Sequence, residues 1–202
     1  PDHPRALEFK AQLVRDAEGD AAALPLFEKA LATSPNDLLL LGGYAASLGE
    51  LGRASEMLVV TRKMIAIDPR HPQAFYLQAV LAARAGQTDL ARAMLNRVGE
   101  QLDEIPAAML LQGALELEAG NANAAAQRLS RLADLQPANQ PVQALLARAL
   151  YEAGDIQQLF GRFGAMAGRA DASPYLLGIL GRALEEQGDR TAAAPLLDRA
   201  AG

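Results

Sequence analysis

Acidic side chains recur in this sequence at intervals of 34 residues, and they are the first residues that could do chemistry. The row comprises Glu50, Glu118, Glu152 and Glu186, with Arg84 in the remaining place. Carboxylates can act as general acid and base or hold a cation, but acid/base catalysis needs shifted pKa values in a closed site. A regular row at the exposed ends of helices is more typical of a solvated rim. We therefore predict no catalytic residue and no enzyme activity.

Other residues that carry chemistry are scarce. The chain has two histidines, His3 and His71, and no cysteine. No pair with zinc-ligand spacing can be built from these histidines, and without cysteine there is no thiolate ligand, thiol nucleophile or disulfide. The glycines are spaced too widely for a phosphate-binding loop. The sequence predicts neither a metal site nor a cofactor.

The charge balance argues against a nucleic-acid partner. The chain has 19 basic and 24 acidic residues and a formal net charge of −5. Binding to phosphates needs clustered Lys and Arg, which this composition does not favour. No apolar run approaches the roughly 18 residues of a membrane span, so we expect no direct insertion into a membrane. The absence of cysteine fits cytoplasm and periplasm equally, and the bias toward Ala, Leu and Arg is typical of bacterial proteins.

Small residues follow the same interval. Glycine recurs at Gly52, Gly86, Gly120, Gly154 and Gly188. A second column admits only Ala or Gly: Ala11, Ala45, Ala79, Gly113, Ala147 and Gly181. A fixed period of about 20 to 50 residues is typical of solenoids and other repeat arrays. The sequence thus predicts a series of similar units.

These columns resemble the tetratricopeptide repeat (TPR) family over nearly the whole chain. That family has small residues at the eighth and twentieth positions of its unit and a glycine at the fifteenth. The resemblance implies an all-α fold, an α-solenoid of about six helix-turn-helix repeats in a right-handed superhelix. It implies a single array over residues 1–202, with repeats at 4–37, 38–71, 72–105, 106–139, 140–173 and a truncated one at 174–202.

Local signals refine the helices. Apolar columns at i, i+4 and i+7 predict a one-sided second helix in every repeat. We predict that Ser55, Asp89, Asn123 and Thr191, which share one column, cap these second helices. Gly19 lies one residue later than the interval of the turn glycines requires, so we expect a different turn in the first repeat. Three glycines, Gly161, Gly164 and Gly168, predict either a frayed second helix in the fifth repeat or a close contact there.

The remaining candidate for function is a surface. The resemblance implies that the first helices line a concave groove, which is polar in the first repeat, apolar in the middle and partly basic toward the end. Tyr and Arg are favoured at protein interfaces. Gly42 is expected to leave room for the backbone of a partner. The predicted partner-binding residues are Leu39, Gly42, Tyr76, Val80, Leu110, Ala114, Leu117, Arg148, Tyr151, Tyr175 and Arg182.

These features predict a non-catalytic scaffold for protein–protein interaction that binds a peptide or a partner helix in the groove. Two alternatives stay open: a recruiting or regulatory domain of a larger enzyme or regulator, and a self-assembling scaffold. We expect the sequence to be part of a longer chain. Because Leu196 and Leu197 have no following helix to cover them, we expect further repeats, another domain or a second copy of the chain to cover the last helix.

Overall fold

The computed structural model describes residues 4–202, which form helices in consecutive pairs and no strand. A 3-10 helix at Gly99–Glu104 follows the sixth α-helix. None of the described helices is long and apolar enough to cross a membrane. The α-helices are α1 Pro4–Glu18, α2 Asp20–Thr33, α3 Leu38–Glu50, α4 Ala54–Ile67, α5 Pro72–Arg84, α6 Thr88–Val98, α7 Pro106–Glu118, α8 Ala122–Leu135, α9 Gln140–Glu152, α10 Ile156–Ala167, α11 Pro174–Glu186 and α12 Arg190–Ala201.

The pairing of helices follows the predicted repeat. The first helix of each pair begins at the residue where a repeat was predicted to begin, which is Pro4, Leu38, Pro72, Pro106, Gln140 or Pro174. The structure therefore confirms the all-α helical-repeat fold.

Glycine closes the turn inside each pair. The five regularly spaced glycines have φ values between 72° and 87°, in the left-handed region that residues with a Cβ rarely adopt. The first pair differs as expected, because Gly19, with φ of 92°, is the single residue between α1 and α2. In the later pairs the connection has three residues.

The second small-residue column lies against the second helix of its pair at Gly113 and Gly181. Its alanines are fully buried. A Cβ added at Gly113 would lie 2.7 Å from Leu129 Cγ, and one added at Gly181 would lie 2.7 Å from Leu197 Cγ. Each glycine thus accepts a leucine of the second helix where a methyl group would clash, which confirms the predicted close crossing.

The chain forms two compact units, the first ending at Ala108 and the second beginning at Met109. The core of the first unit contains Phe27, Met57 and Met64. In the second unit, Leu146, Leu150 and Phe163 are among the fully buried side chains. The boundary lies within α7, and the predicted single array over residues 1–202 stays a prediction.

The predicted caps of the second helices are wrong, and two other local predictions stay open to test. The polar column of Ser55, Asp89, Asn123 and Thr191 lies inside the first turn of the second helices, because the three-residue turn lets each helix start earlier than the predicted caps require. α10 is unbroken to Ala167, Gly168 follows it as the C-cap, and no atom lies within 4 Å of a Cβ added at Gly161. The alternative of a close contact is therefore wrong at Gly161, and fraying of the helix stays a prediction. Leu196 and Leu197 are both partly buried, and Leu197 packs onto Gly181. Self-association through the last helix stays a prediction.

Candidate functional site

Arg84, which interrupts the acidic row, joins α5 to α3. Its Nη1 donates a hydrogen bond to the carbonyl oxygen of Gly49 at 2.5 Å, and its Nη2 donates to Glu50 Oε1 at 2.9 Å. Both side chains of this ion pair are largely exposed, so it contributes little to stability. The acidic row therefore includes a link between the first helices of neighbouring repeats.

Three predicted residues lie on these two helices, and we refer to them together as the α3–α5 face: Leu39, Tyr76 and Val80. Leu39 is 57% exposed. Tyr76 and Val80 are half-buried, and Tyr76 packs against the core cluster that contains Ala45. Burial raises the pKa of the Tyr76 hydroxyl, the Glu50 carboxylate raises it further, and Arg84 acts in the opposite direction. The face is thus apolar, with the Glu50–Arg84 pair close to its tyrosine.

Gly42 does not leave room for a partner. It is buried, and a Cβ added there would lie 2.4 Å from Gln73 Oε1 and 2.7 Å from Gln73 Cδ. The space that its missing side chain creates is filled by the Gln73 side chain of α5. The prediction that a partner backbone approaches at Gly42 is therefore wrong, because the glycine serves contact between neighbouring repeats.

The predicted residues of α7 divide by exposure. Leu110 and Ala114 are half-buried and present part of their surface to solvent. Leu117 is only 3% exposed. A partner cannot reach the Leu117 side chain in this structure, so Leu117 is a core residue and its predicted binding role is wrong.

Four predicted residues lie on α9 and α11, and we call them the α9–α11 face: Arg148, Tyr151, Tyr175 and Arg182. The Tyr151 hydroxyl donates a hydrogen bond to Glu186 Oε1 and so joins the two helices. Arg148 Nε donates to Glu152 Oε1 at 2.6 Å within α9. Tyr175 and Arg182 are exposed.

Charged and aromatic groups are mixed on the α9–α11 face. The pKa of Arg148 is raised, and its hydrogen bond to Glu152 is the main cause. Tyr175 and Glu118 add smaller effects in the same direction. The pKa of Tyr151 is also raised, mainly by its hydrogen bond to Glu186, whereas the charge of Arg182 lowers this pKa. Arg182 makes no ion pair with any residue from 4 to 202. It is therefore the cation of this face that is available to a partner.

A hollow of about 330 Å³ with a mixed polar and apolar lining lies between α8 and the end of α9 and start of α10. Asn123, Gln127 and Ser130 line one side of it, and Asp155 and Gln158 line the other. The Asp155 carboxylate already accepts hydrogen bonds from the backbone nitrogen of Gln158 at 3.0 Å and from Gln158 Nε2 at 2.5 Å. The Asp155 carboxylate of the hollow therefore caps α10.

No cluster of metal-binding side chains occurs among the described residues. Within residues 4–202, no three His, Asp or Glu side chains come together as a metal site requires. His71 is half-buried before α5, and His3 lies outside the described residues. The described carboxyls with a shifted pKa are Glu56 and Asp171, and a hydrogen bond from a neighbouring arginine lowers the pKa of each. A general acid at neutral pH needs a raised pKa.

Paired helices with a glycine turn and a small residue at the crossing define a helical-repeat protein. Comparison with solved structures identifies the repeat: the chain has the tetratricopeptide repeat fold. It is similar to YrrB, a TPR protein with an unusual peptide-binding site, with a TM-score of 0.73 and 17% identity over 86% of this chain and 90% of that one. A thermophilic TPR protein of Thermus thermophilus has a TM-score of 0.65 at 17% identity, over 98% of both chains.

A third structure, a TPR protein of Parabacteroides merdae, has a TM-score of 0.60 at 18% identity over 98% of this chain and 77% of its own. No family model matches the sequence. No curated protein matches it either. At these identities the likeness establishes the fold.

Proposed function

We propose that this chain is a non-catalytic protein-interaction module whose first helices bind a peptide or a partner helix. The observation that carries the proposal is the exposed Leu39 on α3, with the half-buried Tyr76 and Val80 on the neighbouring first helix, α5. Apolar side chains left uncovered on adjacent helices are typical of binding surfaces. The peptide-binding site named for YrrB, a protein of the same fold, supports the proposal.

The α3–α5 face favours an aliphatic or aromatic anchor on the partner. Leu39 and Val80 supply apolar area, and the Tyr76 ring packs against the core. A rigid aromatic ring loses little conformational freedom on binding, which is one reason that Tyr is common among the residues that dominate interface energies. The Glu50–Arg84 pair offers polar groups close by. An amphipathic helix or an extended segment with one large apolar residue suits this surface.

The α9–α11 face favours a different partner group. Arg182 is exposed and has no ion-pair partner among residues 4–202, while Arg148 and Tyr151 are engaged by Glu152 and Glu186. A carboxylate on the partner would pair with Arg182 without breaking an existing bond. Tyr175 is exposed on the same helix and can stack against the partner. We propose that this face binds an acidic or C-terminal group, independently of the α3–α5 face.

The experiment begins with a peptide-display selection against the 202-residue chain, and calorimetry then measures the affinity of recovered peptides for variants. Leu39→Asp is expected to weaken binding at the α3–α5 face by about tenfold or more, because a charge replaces a central apolar contact. Val59→Asp on α4 is the matched control, since Val59 is 67% exposed but lies on a second helix. Circular dichroism verifies that both variants fold.

The second face is tested by charge. Arg182→Gln is expected to lower affinity only for peptides with a carboxylate, and Arg190→Gln at the start of α12 is the control. Recovery of no peptide, or equal affinities of wild type and Leu39→Asp for every peptide, contradicts the proposal for the α3–α5 face. Equal affinities of wild type and Arg182→Gln for acidic peptides contradict it for the α9–α11 face.

A further inference from the structure

The hollow between α8, the end of α9 and the start of α10 has an apolar bottom and a polar rim. Leu150 and Ala126 are its most deeply buried lining residues, and Ala153 is half-buried. Its polar lining residues are exposed or half-buried. The volume of about 330 Å³ lies at the lower end of the range for ligand sites. The hollow is therefore large enough for one side chain and the backbone that carries it.

The hollow lies at a place where other repeats have a large side chain. Ala126 occupies the twenty-first place of its repeat. The six twenty-first places hold Leu24, Leu58, Arg92, Ala126, Phe160 and Ala194. The first, second, fourth and fifth of them lie at junctions of repeats inside one compact unit, and Ala126 is the one small residue among these four.

The first repeat shows which side chain fills this place. Leu24 is buried there in a cluster with Leu48, which is the counterpart of Leu150 in the second repeat. Between the first and second repeats, a leucine of the chain itself thus occupies the volume that Ala126 leaves open between the fourth and fifth. The hollow accordingly fits an aliphatic side chain of the size of leucine.

Three polar side chains of α8 at the rim are free to bind a partner. Asn123, Gln127 and Ser130 lie at i, i+4 and i+7, on one side of the helix. Within the described part of the chain, their side chains have no hydrogen-bond partner. The carboxylate of Asp155, the one charged lining residue, is occupied by the cap of α10. The rim can therefore hydrogen-bond uncharged groups, and a side-chain amide can do so as both donor and acceptor.

Gly161 keeps α10 open beside the hollow. It follows Gln158 by three residues and so lies on the same side of the helix, one turn further on. No atom lies within 4 Å of a Cβ added at Gly161, so packing within the described chain does not require glycine there, although glycine in a helix interior costs stability. The Arg162–Asp134 ion pair, with Nη1 and Oδ1 2.9 Å apart, joins α10 to α8 and limits the opening toward the end of α8. A partner backbone that approaches α10 gives this glycine a reason.

We propose that the hollow binds an extended, uncharged segment of a partner protein, which inserts one leucine-sized aliphatic side chain against Ala126 and Leu150. An extended segment leaves its backbone N–H and C=O groups available to the Asn123 and Gln127 amides, whereas a helix uses most of its own. The backbone of the segment passes Gly161. This site goes beyond the proposed function, because the hollow shares no residue with the α3–α5 face or the α9–α11 face.

Nuclear magnetic resonance titration of the 202-residue chain tests the site. The probe is the capped peptide Gly-Ser-Leu-Ser-Gly, and the same peptide with alanine or glutamate at its centre is the comparison. The leucine peptide is expected to shift the backbone amide signals of α8 and of the start of α10. It is also expected to bind about tenfold more tightly than the other two peptides, because only leucine fills the apolar bottom.

Variants of the chain locate the bound peptide. Ala126→Leu is expected to weaken binding by about tenfold or more, because it fills the hollow from within, and Leu24 shows that the fold accepts leucine at this place. Ala194→Leu, at the exposed twenty-first place of the sixth repeat, is the matched control. Gly161→Ala is expected to stabilise the chain and yet to weaken binding by about threefold, a combination that misfolding does not produce. Leu39→Asp should leave the affinity unchanged, which separates this site from the α3–α5 face.

Each other outcome overturns the proposal. Equal affinities for the leucine and alanine peptides remove the apolar anchor, and tighter binding of the glutamate peptide contradicts an uncharged partner. Equal affinities of wild type and Ala126→Leu exclude the hollow, and signal changes confined to α3 and α5 would assign the peptide to the α3–α5 face. An unchanged affinity in Gly161→Ala removes the assigned path of the backbone. No signal change with about 10 mM leucine peptide would mean that the hollow does not bind this group.

Discussion

Side-chain volume controls how closely the two helices of a repeat can approach. Gly113 and Gly181 face leucines at distances that exclude a methyl group, and the alanines of the same column are completely buried. Protein interiors are packed as densely as organic crystals, so added atoms must displace neighbours. The identity of one residue in this column therefore bears on the geometry of a whole helix pair.

Ala147→Leu is expected to lower the free energy of unfolding by about 1–3 kcal/mol, because three extra carbon atoms enter a filled helix crossing. Thermal or urea denaturation measures the loss. Ala194→Leu, on the exposed side of α12, is the control and is expected to change stability by no more than about 0.5 kcal/mol. A wild-type melting temperature for Ala147→Leu would contradict a tight crossing at this residue.

Tyr76 provides a titration test of the α3–α5 face. Glu50→Gln is expected to lower the pKa of Tyr76, because the carboxylate that raises it is removed while Arg84 continues to lower it. The absorbance of tyrosinate during alkaline titration measures this pKa, and a Tyr76→Phe variant identifies the step among the chain's four tyrosines. Glu118→Gln, in the same acidic row, should leave the step unchanged. An unchanged Tyr76 pKa in Glu50→Gln would show that the Glu50 carboxylate does not act on the Tyr76 hydroxyl.

The sign of the associated stability change follows from linkage. A tyrosine whose pKa is raised on folding favours the folded state while it is neutral. That contribution is present below the ordinary tyrosine pKa of about 10 and is lost as the pH rises through the raised value. Between these limits, wild type should lose more stability than Tyr76→Phe.

The helices show which kinds of information a sequence carries. Their starts and the turn glycines could be predicted, because a turn that needs a positive φ and a crossing that needs a small side chain each restrict one position in every repeat. The caps could not be predicted. Ser55 and its equivalents are good capping residues by type, but whether they stand at the cap depends on the number of residues in the preceding turn. Asp155 and Asp189, two places earlier in the frame, are the ones that cap.

The binding faces were only partly predictable for a related reason. The sequence indicates the helix face on which a residue lies but not what the neighbouring repeat places over it. Leu117 is buried and Gly42 is covered by Gln73, although both occupy positions typical of a groove.

Two glycines in neighbouring helices offer a matched test of helix propensity against packing. Gly161→Ala in α10 is expected to stabilise the protein by about 0.5–1 kcal/mol, because no atom lies within 4 Å of the new Cβ. Gly181→Ala in α11 gains the same propensity but places its Cβ against Leu197, so we expect a net loss. Urea denaturation of both variants gives the comparison. Equal changes in stability would contradict the packing difference.

The division of the chain into two compact units bears on how it unfolds. In a repeat protein each repeat contacts mainly its neighbours, so stability is approximately a sum of local contributions. Phe27 and Phe163 occupy the same place in the first and fifth repeats, and both are almost completely buried. The same large-to-small substitution can therefore be made in the core of each unit.

Phe27→Ala and Phe163→Ala are each expected to cost about 3–5 kcal/mol of local stability. Hydrogen exchange should show faster exchange in α1 to α4 for Phe27→Ala and in α9 to α12 for Phe163→Ala, with little change in the other unit. Each variant is the control for the other. Uniform acceleration over the described helices in either variant would show that the chain unfolds as one cooperative body.

Because every helix pair carries its own turn glycine and its own crossing residue, the information for one hairpin is complete within 34 consecutive residues. Duplication or loss of one such block in a gene would keep every local folding signal in register. Evolution can therefore lengthen or shorten a chain of this kind by whole hairpins, and the sites that then need new mutations are the surfaces where a new neighbour meets an old one.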